Sequence, residues 1–377
     1  MPLDRMESWE SEYCLLSCST AEYGYIYGND EYSTDFLVDD ALEIIRAKEN
    51  ELRDAEDQVQ LDDLLRGMLL HMPSAAGARY VAVALRLTDQ EGTDAVVNIA
   101  KAWLKHLFFR SPFLNSLFHQ PILYFDHLLN PDLSVQAMSC RIDISDSQTP
   151  STDNTAHEIG SLTLTENVAA REDHRCAITG CVDRLYAQKL RKQGDPIPAG
   201  AQRLMEAAHI IPFPLDLPAE SSKLVFRDSV HTLDMFRDWT TLDIRALAGE
   251  KINSPANVIY MTYDECLRFC RFEFYLEPDT DEPDGYQVKF HNDYDTLSTG
   301  ARTALVNFKA LEDPKIEVPD PRFLAAHAAF SKVLHLCGVA EYWERLEMQA
   351  DGDIVSGMND ESNFANRLSA KLALLAY

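Results

Sequence analysis

Apolar residues recur at helical spacing from Asp39 onward. Leu42, Ile44 and Ile45 stand beside charged residues, and Leu61, Leu64, Leu65, Met68 and Leu69 follow at intervals of three and four, the period that gathers side chains on one face of an α-helix. Residues 77–87 and 93–109 continue the pattern. In the second of these, Val96, Val97, Ile99, Ala100, Trp103 and Leu107 make the apolar side, Thr93 stands at the cap position and Pro112 closes the segment. The spacing predicts about four helices over 39–110, inside a helical region that runs to residue 142. Residues 1–38 are acidic, rich in Tyr and Ser and weakly periodic, which predicts an extended arm. Residues 112–133, aromatic and broken by Pro, read as a packed connection, and 143–157, rich in Ser, Thr and Asp, as a linker or loop.

The pattern changes between Arg171 and Pro278. Ala207-Ala208-His209-Ile210-Ile211, stopped by Pro212 and Pro214, reads as a short strand presenting one imidazole. Phe272 to Leu276 and Tyr286 to His291 alternate like two strands around an acidic turn, and so predict a hairpin. Helical spacing returns over Pro321 to Cys337, where Gly338 signals a C-terminal cap, and again over 339–348 and 363–376. The expected organisation is 1–38 arm, 39–142 helical, 143–157 linker, 158–300 mixed α/β and 301–377 C-terminal helices. The fold class that follows is α+β.

Charge narrows the choice of partners. The chain has 34 Lys and Arg against 61 Asp and Glu, a net charge of −27. Phosphate neutralisation supplies most non-specific nucleic-acid affinity, so this balance disfavours a nucleic-acid partner and leaves a small-molecule substrate open. The stretch from Arg171 to Pro214 is locally different, with seven basic and five acidic residues. The N-terminus shows no basic region followed by an apolar run, and no uncharged apolar stretch approaches the roughly 20 residues of a membrane span. An intracellular protein, cytoplasmic or nuclear, without a signal peptide or a membrane partner is expected. The eight cysteines are dilute and predict thiols or metal ligands, not a disulfide frame.

Three short motifs, in order and spacing, carry a resemblance. Arg175-Cys176-Ala177-Ile178-Thr179-Gly180 precedes the His209 segment; Asn257-Val258-Ile259-Tyr260-Met261 follows it; Cys266-Leu267-Arg268-Phe269 comes next, ahead of Phe272 to Pro278. The stretch resembles the HNH (His-Me finger) nuclease domain found in a large family of fungal proteins. Segments 96–109 and 326–342 are similar to the helical parts of that family. The resemblance implies a ββα-metal finger embedded between N-terminal and C-terminal helical layers, with His209 as general base and Asn257 as the residue that orients it. It also implies a divalent metal, zinc or magnesium, as cofactor and phosphodiester hydrolysis as the reaction. Two positions depart from the pattern. Cys266 stands where the family has a metal-side histidine, and Ala208 stands where many HNH nucleases outside the family carry a ligand.

With those positions changed, Cys266, Glu206, Asp264 and Glu265 are the candidate metal ligands. Cys176, Cys181, Cys266 and Cys270 form two close pairs that suggest a structural zinc. Arg184, Lys189, Arg191 and Lys192 are the candidate nucleic-acid contacts. Three functions stay open: a metal-dependent endonuclease, an HNH scaffold turned to another enzymatic reaction on a small molecule, and a non-catalytic interaction protein. In the second of these, Tyr260, Phe269, Phe272 and Trp239 would line an apolar pocket.

Overall fold

A computed structural model describes residues 31–56, 58–109, 164–211, 234–243, 249–308 and 316–345, together with Ile26, Gly28 and Leu247. In chain order these form helices α1 (Thr34–Ala47), α2 (Glu49–Asp54), α3 (Leu61–Leu70), α4 (Ala75–Asp89), α5 (Thr93–Trp103) and α6 (164–171). Strand β1 (Val182–Asp183), helix α7 (Arg184–Gln193), strands β2 (Gln202–Arg203) and β3 (Met205–His209) and helix α8 (234–240) follow. Then come β4 (Val258–Thr262), α9 (Tyr263–Cys270), β5 (Phe274–Pro278), β6 (Gly285–Phe290), β7 (Leu305–Asn307), α10 (Pro321–Leu336) and α11 (Val339–Arg345). The arm before residue 26, the connection at 112–133, the linker at 143–157 and the helix at 363–376 lie outside the described residues. The protein is a mixture of helices and small sheets. Among the described residues no single helix is long and apolar enough to cross a membrane.

The chain divides into two units, each assembled from separated stretches. One comprises Met1–Ser111, Leu217–Ile244 and Lys332–Tyr377; the other comprises Pro112–Asp216 and Arg245–Ser331. In the first unit the helical periodicity becomes a helical core. α1 buries Leu37, Ala41 and Ile45, and α5 buries Val96, Ile99, Ala100 and Trp103. α1 starts at Thr34, ahead of Asp39, because Ser33 caps it by accepting the Phe36 N–H. Thr93 is the first residue of α5 and not its cap. That position falls to Gly92, whose φ of 108° admits the turn without a side-chain cap. Trp239 of α8 donates its indole N–H to the Met68 carbonyl at 3.0 Å. Its own carbonyl would lie 1.9 Å from a Cβ added at Gly77, so only glycine lets the two backbones approach there.

The second unit holds three small sheets. β1 and β2 pair in parallel, β3 and β4 antiparallel, and β5-β6-β7 form an antiparallel sheet. The predicted hairpin exists as β5 and β6, with Phe274 opposite Phe290 and Pro278 opposite Tyr286. Its first strand starts at Phe274, since the chain is still leaving α9 at Phe272. There Phe272 N–H reaches the Phe269 carbonyl, Glu273 N–H reaches that of Arg268, and Phe272 takes φ 58°. This is a Schellman cap with phenylalanine where glycine is usual. A bulky residue held there costs on the order of 1–2 kcal/mol. Its burial, with the ring 4.7 Å from that of His327, offsets the strain.

Candidate active site

β3 and β4 pair from Met205 opposite Thr262 to His209 opposite Val258, and α9 starts directly after β4. On one face Met205, Ala207, Val258 and Tyr260 pack against Leu164, Val168 and Ala169 of α6. Among the described residues no strand pairs with the edge of β4 away from β3, and the polar groups there find other partners. Arg171 reaches the Val258 carbonyl (2.7 Å), Ala177 N–H the Tyr260 carbonyl (2.9 Å), and Thr262 N–H the Cys176 sulfur (3.3 Å). Buried backbone groups demand such partners. The short segments around Arg171 and Cys176 act here in place of a strand.

Asn257 is fully buried at the end of the 3-10 turn Pro255–Asn257, directly before β4. Its Oδ1 accepts the Ile211 N–H (2.9 Å), and its Nδ2 donates to the Ile211 carbonyl (3.0 Å) and the Ile252 carbonyl (3.2 Å). One side chain thereby closes the backbone just past His209 onto the loop that precedes β4. Arg171 adds a second clamp on that loop, donating to the carbonyls of Pro255 and Glu317 at 2.8 Å each. Its charge is met by Glu172 at 2.9 Å.

His209 is half-buried at the end of β3, and its Nε2 lies 3.1 Å from Asn253 Oδ1. Burial lowers the pKa of the imidazole, and the Asn253 hydrogen bond opposes that shift. The ring is therefore neutral near pH 7. Sequence spacing singled out His209 and Asn257 but passed over Asn253. Its signal was a second asparagine ahead of Ser254-Pro255, in the same loop as Asn257.

Residues 176–277 match the family model of the HNH endonucleases. No curated protein matches the chain, and no solved structure does. The matched stretch opens at Cys176 and ends in β5, so it takes in the hairpin, both asparagines and α9. It suggests a nuclease-type function.

Within the matched stretch Glu265, one of the candidate metal ligands, serves the fold. Thr262 caps α9 by accepting the Glu265 N–H at 3.4 Å. A reciprocal capping box would return the Glu265 carboxylate to the Thr262 N–H, but that N–H is given to Cys176. Glu265, fully buried, instead accepts the Ser298 N–H at 2.8 Å through Oε1, while its Oε2 has no hydrogen-bond partner. Cys266 and Glu206 are buried and Asp264 is exposed. Among the described residues no three His, Cys, Asp or Glu side chains gather as a metal-binding group. Neither the set Cys266, Glu206, Asp264 and Glu265 nor the four cysteines at 176, 181, 266 and 270 form one. Among the described residues, then, the donors do not come together to fit the divalent ion that the resemblance implies. Cys176 serves the backbone instead. Its sulfur accepts the N–H groups of Thr179 and Thr262, each at 3.3 Å, and burial pushes its thiol pKa up.

The basic stretch divides. Arg171 is buried, and Arg175 is spent on the carbonyls of Gly180 and Ala199. Arg184, Lys189, Arg191 and Lys192 are exposed on α7, which carries no acidic residue. The Asp183 carboxylate fixes that helix to the hairpin. One oxygen caps α7 at the Leu185 N–H (2.8 Å), and the other accepts the Tyr260 hydroxyl (2.9 Å). Burial and this carboxylate raise the Tyr260 pKa and keep the phenol protonated. Tyr260, Phe269 and Phe272 are buried core residues of this unit, and Trp239 is one of the other. Ser331 and His291, 2.7 Å apart, mimic a nucleophile and its base. Ser331 also lies 3.0 Å from the Phe272 carbonyl, and when its single hydroxyl proton is donated there none is left for His291 to take.

Proposed function

We propose that the HNH domain is a phosphodiester-cleaving endonuclease unit in which His209 is the general base and Asn257 frames it. The observation that carries the reading is a half-buried histidine whose Nε2 meets the Asn253 amide oxygen at 3.1 Å, inside the stretch that matches an HNH endonuclease; its burial favours the neutral ring. A neutral imidazole accepts a proton near pH 7 and an imidazolium does not. In the proposed step His209 takes a proton from water as the water oxygen bonds to phosphorus. The ester oxygen leaves with the bonding pair and is protonated by solvent. No step is assigned to a metal, since the described residues gather no ligand set for one. Arg184, Lys189, Arg191 and Lys192 of α7 offer the phosphate contacts, an exposed cationic face on an anionic chain.

The test incubates full-length protein with supercoiled plasmid, single-stranded DNA and RNA, in EDTA or with Mg²⁺, Mn²⁺ or Zn²⁺. Wild type should cleave at least one of them. His209→Ala should slow that cleavage by roughly 100-fold or more, the usual weight of a general base, with unchanged thermal unfolding. Cleavage that survives the substitution, or none under any condition, overturns the reading in favour of a small-molecule enzyme or an interaction domain.

A further inference from the structure

We infer that Asn253 is a positioning residue for His209: its side-chain oxygen holds the ring proton on Nε2 and leaves Nδ1 as the nitrogen that accepts one. The rate consequence rests on reading His209 as the base of a nuclease. The tautomer itself does not.

Donor chemistry decides the tautomer. An amide oxygen only accepts, so the imidazole nitrogen 3.1 Å from Asn253 Oδ1 must carry hydrogen. A neutral ring has one such hydrogen, and Nδ1 is left with its lone pair. Asn257 cannot do this work. Its oxygen is engaged by the Ile211 N–H and its amide nitrogen by the carbonyls of Ile211 and Ile252. Those partners explain what Asn257 does instead. Ile211 lies just past His209 and Ile252 just before Asn253, so the buried Asn257 side chain sets the spacing between the base and the amide that faces it.

The backbone around Asn253 is fixed on its other side too. Asn253 ends the 3-10 turn Gly249–Asn253, and Ser254 N–H bonds to the Lys251 carbonyl at 3.1 Å. The Ser254 hydroxyl then caps the next turn at Ala256 N–H (3.2 Å) and donates to Glu317 Oε2 (2.7 Å). The amide is thus presented from a pinned loop. With the proton on Nδ1 instead, the lone pair would face Asn253, and the ring would have no free acceptor for a proton from water. One hydrogen bond therefore decides whether His209 can act as a base.

Long-range ¹H–¹⁵N spectra of full-length protein labelled with ¹⁵N-histidine test this, the His209 signals being assigned by their loss in His209→Ala. The expected spectrum has a protonated Nε2 and a bare, pyridine-like Nδ1. The opposite tautomer, which a turned amide would produce, overturns the proposal whether or not the protein cleaves anything. Asn253→Leu should lose the fixed tautomer and lower kcat by roughly 10-fold to 100-fold, a part of the roughly 100-fold to 10,000-fold that a general base supplies, with KM unchanged. Asn253→Asp keeps the oxygen acceptor and should retain both the tautomer and most of kcat. A leucine variant with wild-type spectrum and kcat overturns the positioning role. Should wild type cleave nothing, the nuclease reading falls while the spectrum still decides the tautomer.

Discussion

His327 shows at the scale of one residue what burial does to a titrating group. Its ring is stacked on Phe269 at 3.8 Å and on Phe272 at 4.7 Å, with Nε2 donating to the Phe269 carbonyl. Burial lowers its pKa to about 3 from 6.5, the hydrogen bond opposing only in part. Below about 6.5 the unfolded chain therefore binds a proton that the folded chain refuses. Stability is lost as pH falls through that window towards about 3. His209 acts in the same direction. Linkage puts the His327 share at about 2 kcal/mol between pH 7 and pH 5. His327→Gln keeps a donor for the carbonyl but does not titrate. Urea unfolding of this variant should lose less stability over that interval than wild type, by about that amount. The same logic explains what spacing could reveal here. The order of motifs picked out His209 and Asn257, because both lie in short segments whose place along the chain is informative. It was silent on Asn253 and on the use of Glu265 for Ser298, because each partner is chosen by tertiary packing.

Elements divide in the same way between local signals and distant partners. Period-3.6 runs gave α3, α5 and α10, and alternation gave the β5–β6 hairpin. Gly338, at φ 80°, follows α10 as its sequence signal required. Boundaries moved at Ser33, whose side-chain cap starts α1 early, at Gly92 and at Phe272, and nothing in the residue types marks Phe272 for a left-handed cap. The largest departure is Arg171, whose charge reads as a surface feature. It is fully buried and holds three carbonyls, those of Pro255, Val258 and Glu317, joining α6 to the asparagine loop and to the edge of β4. Removing it strands those acceptors and the Glu172 carboxylate. Arg171→Leu should cost roughly 3–5 kcal/mol, as breaking a buried ion pair does. Arg171→Lys should rescue little of it, because one ammonium cannot reproduce a planar fork of donors. Chemical denaturation of both variants reads the difference, and a leucine variant as stable as wild type would remove Arg171 from the frame of the site.

At the scale of the whole chain, a net charge of −27 decides how any nucleic acid must be held. Repulsion from carboxylates spread over the surface is screened over about 10 Å at 0.1 M salt, whereas a cation touching a phosphate acts at contact range. Binding then depends on a small cationic face, and α7 offers one: Arg184, Lys189, Arg191 and Lys192, exposed on a helix without acids and tied to the hairpin through Asp183 and Tyr260. Each phosphate contact steepens the fall of log K with log salt by about 0.9 on duplex DNA. Replacing the four with glutamine should weaken binding and flatten that slope by up to about 3.6, nearly uniformly across sequences. His209→Ala should leave affinity and slope unchanged, because it removes a base and no phosphate contact. Fluorescence anisotropy over a salt series separates the two effects. A quadruple variant with the wild-type slope would mean that α7 is a solvated face, and that any nucleic acid the chain engages is held without it.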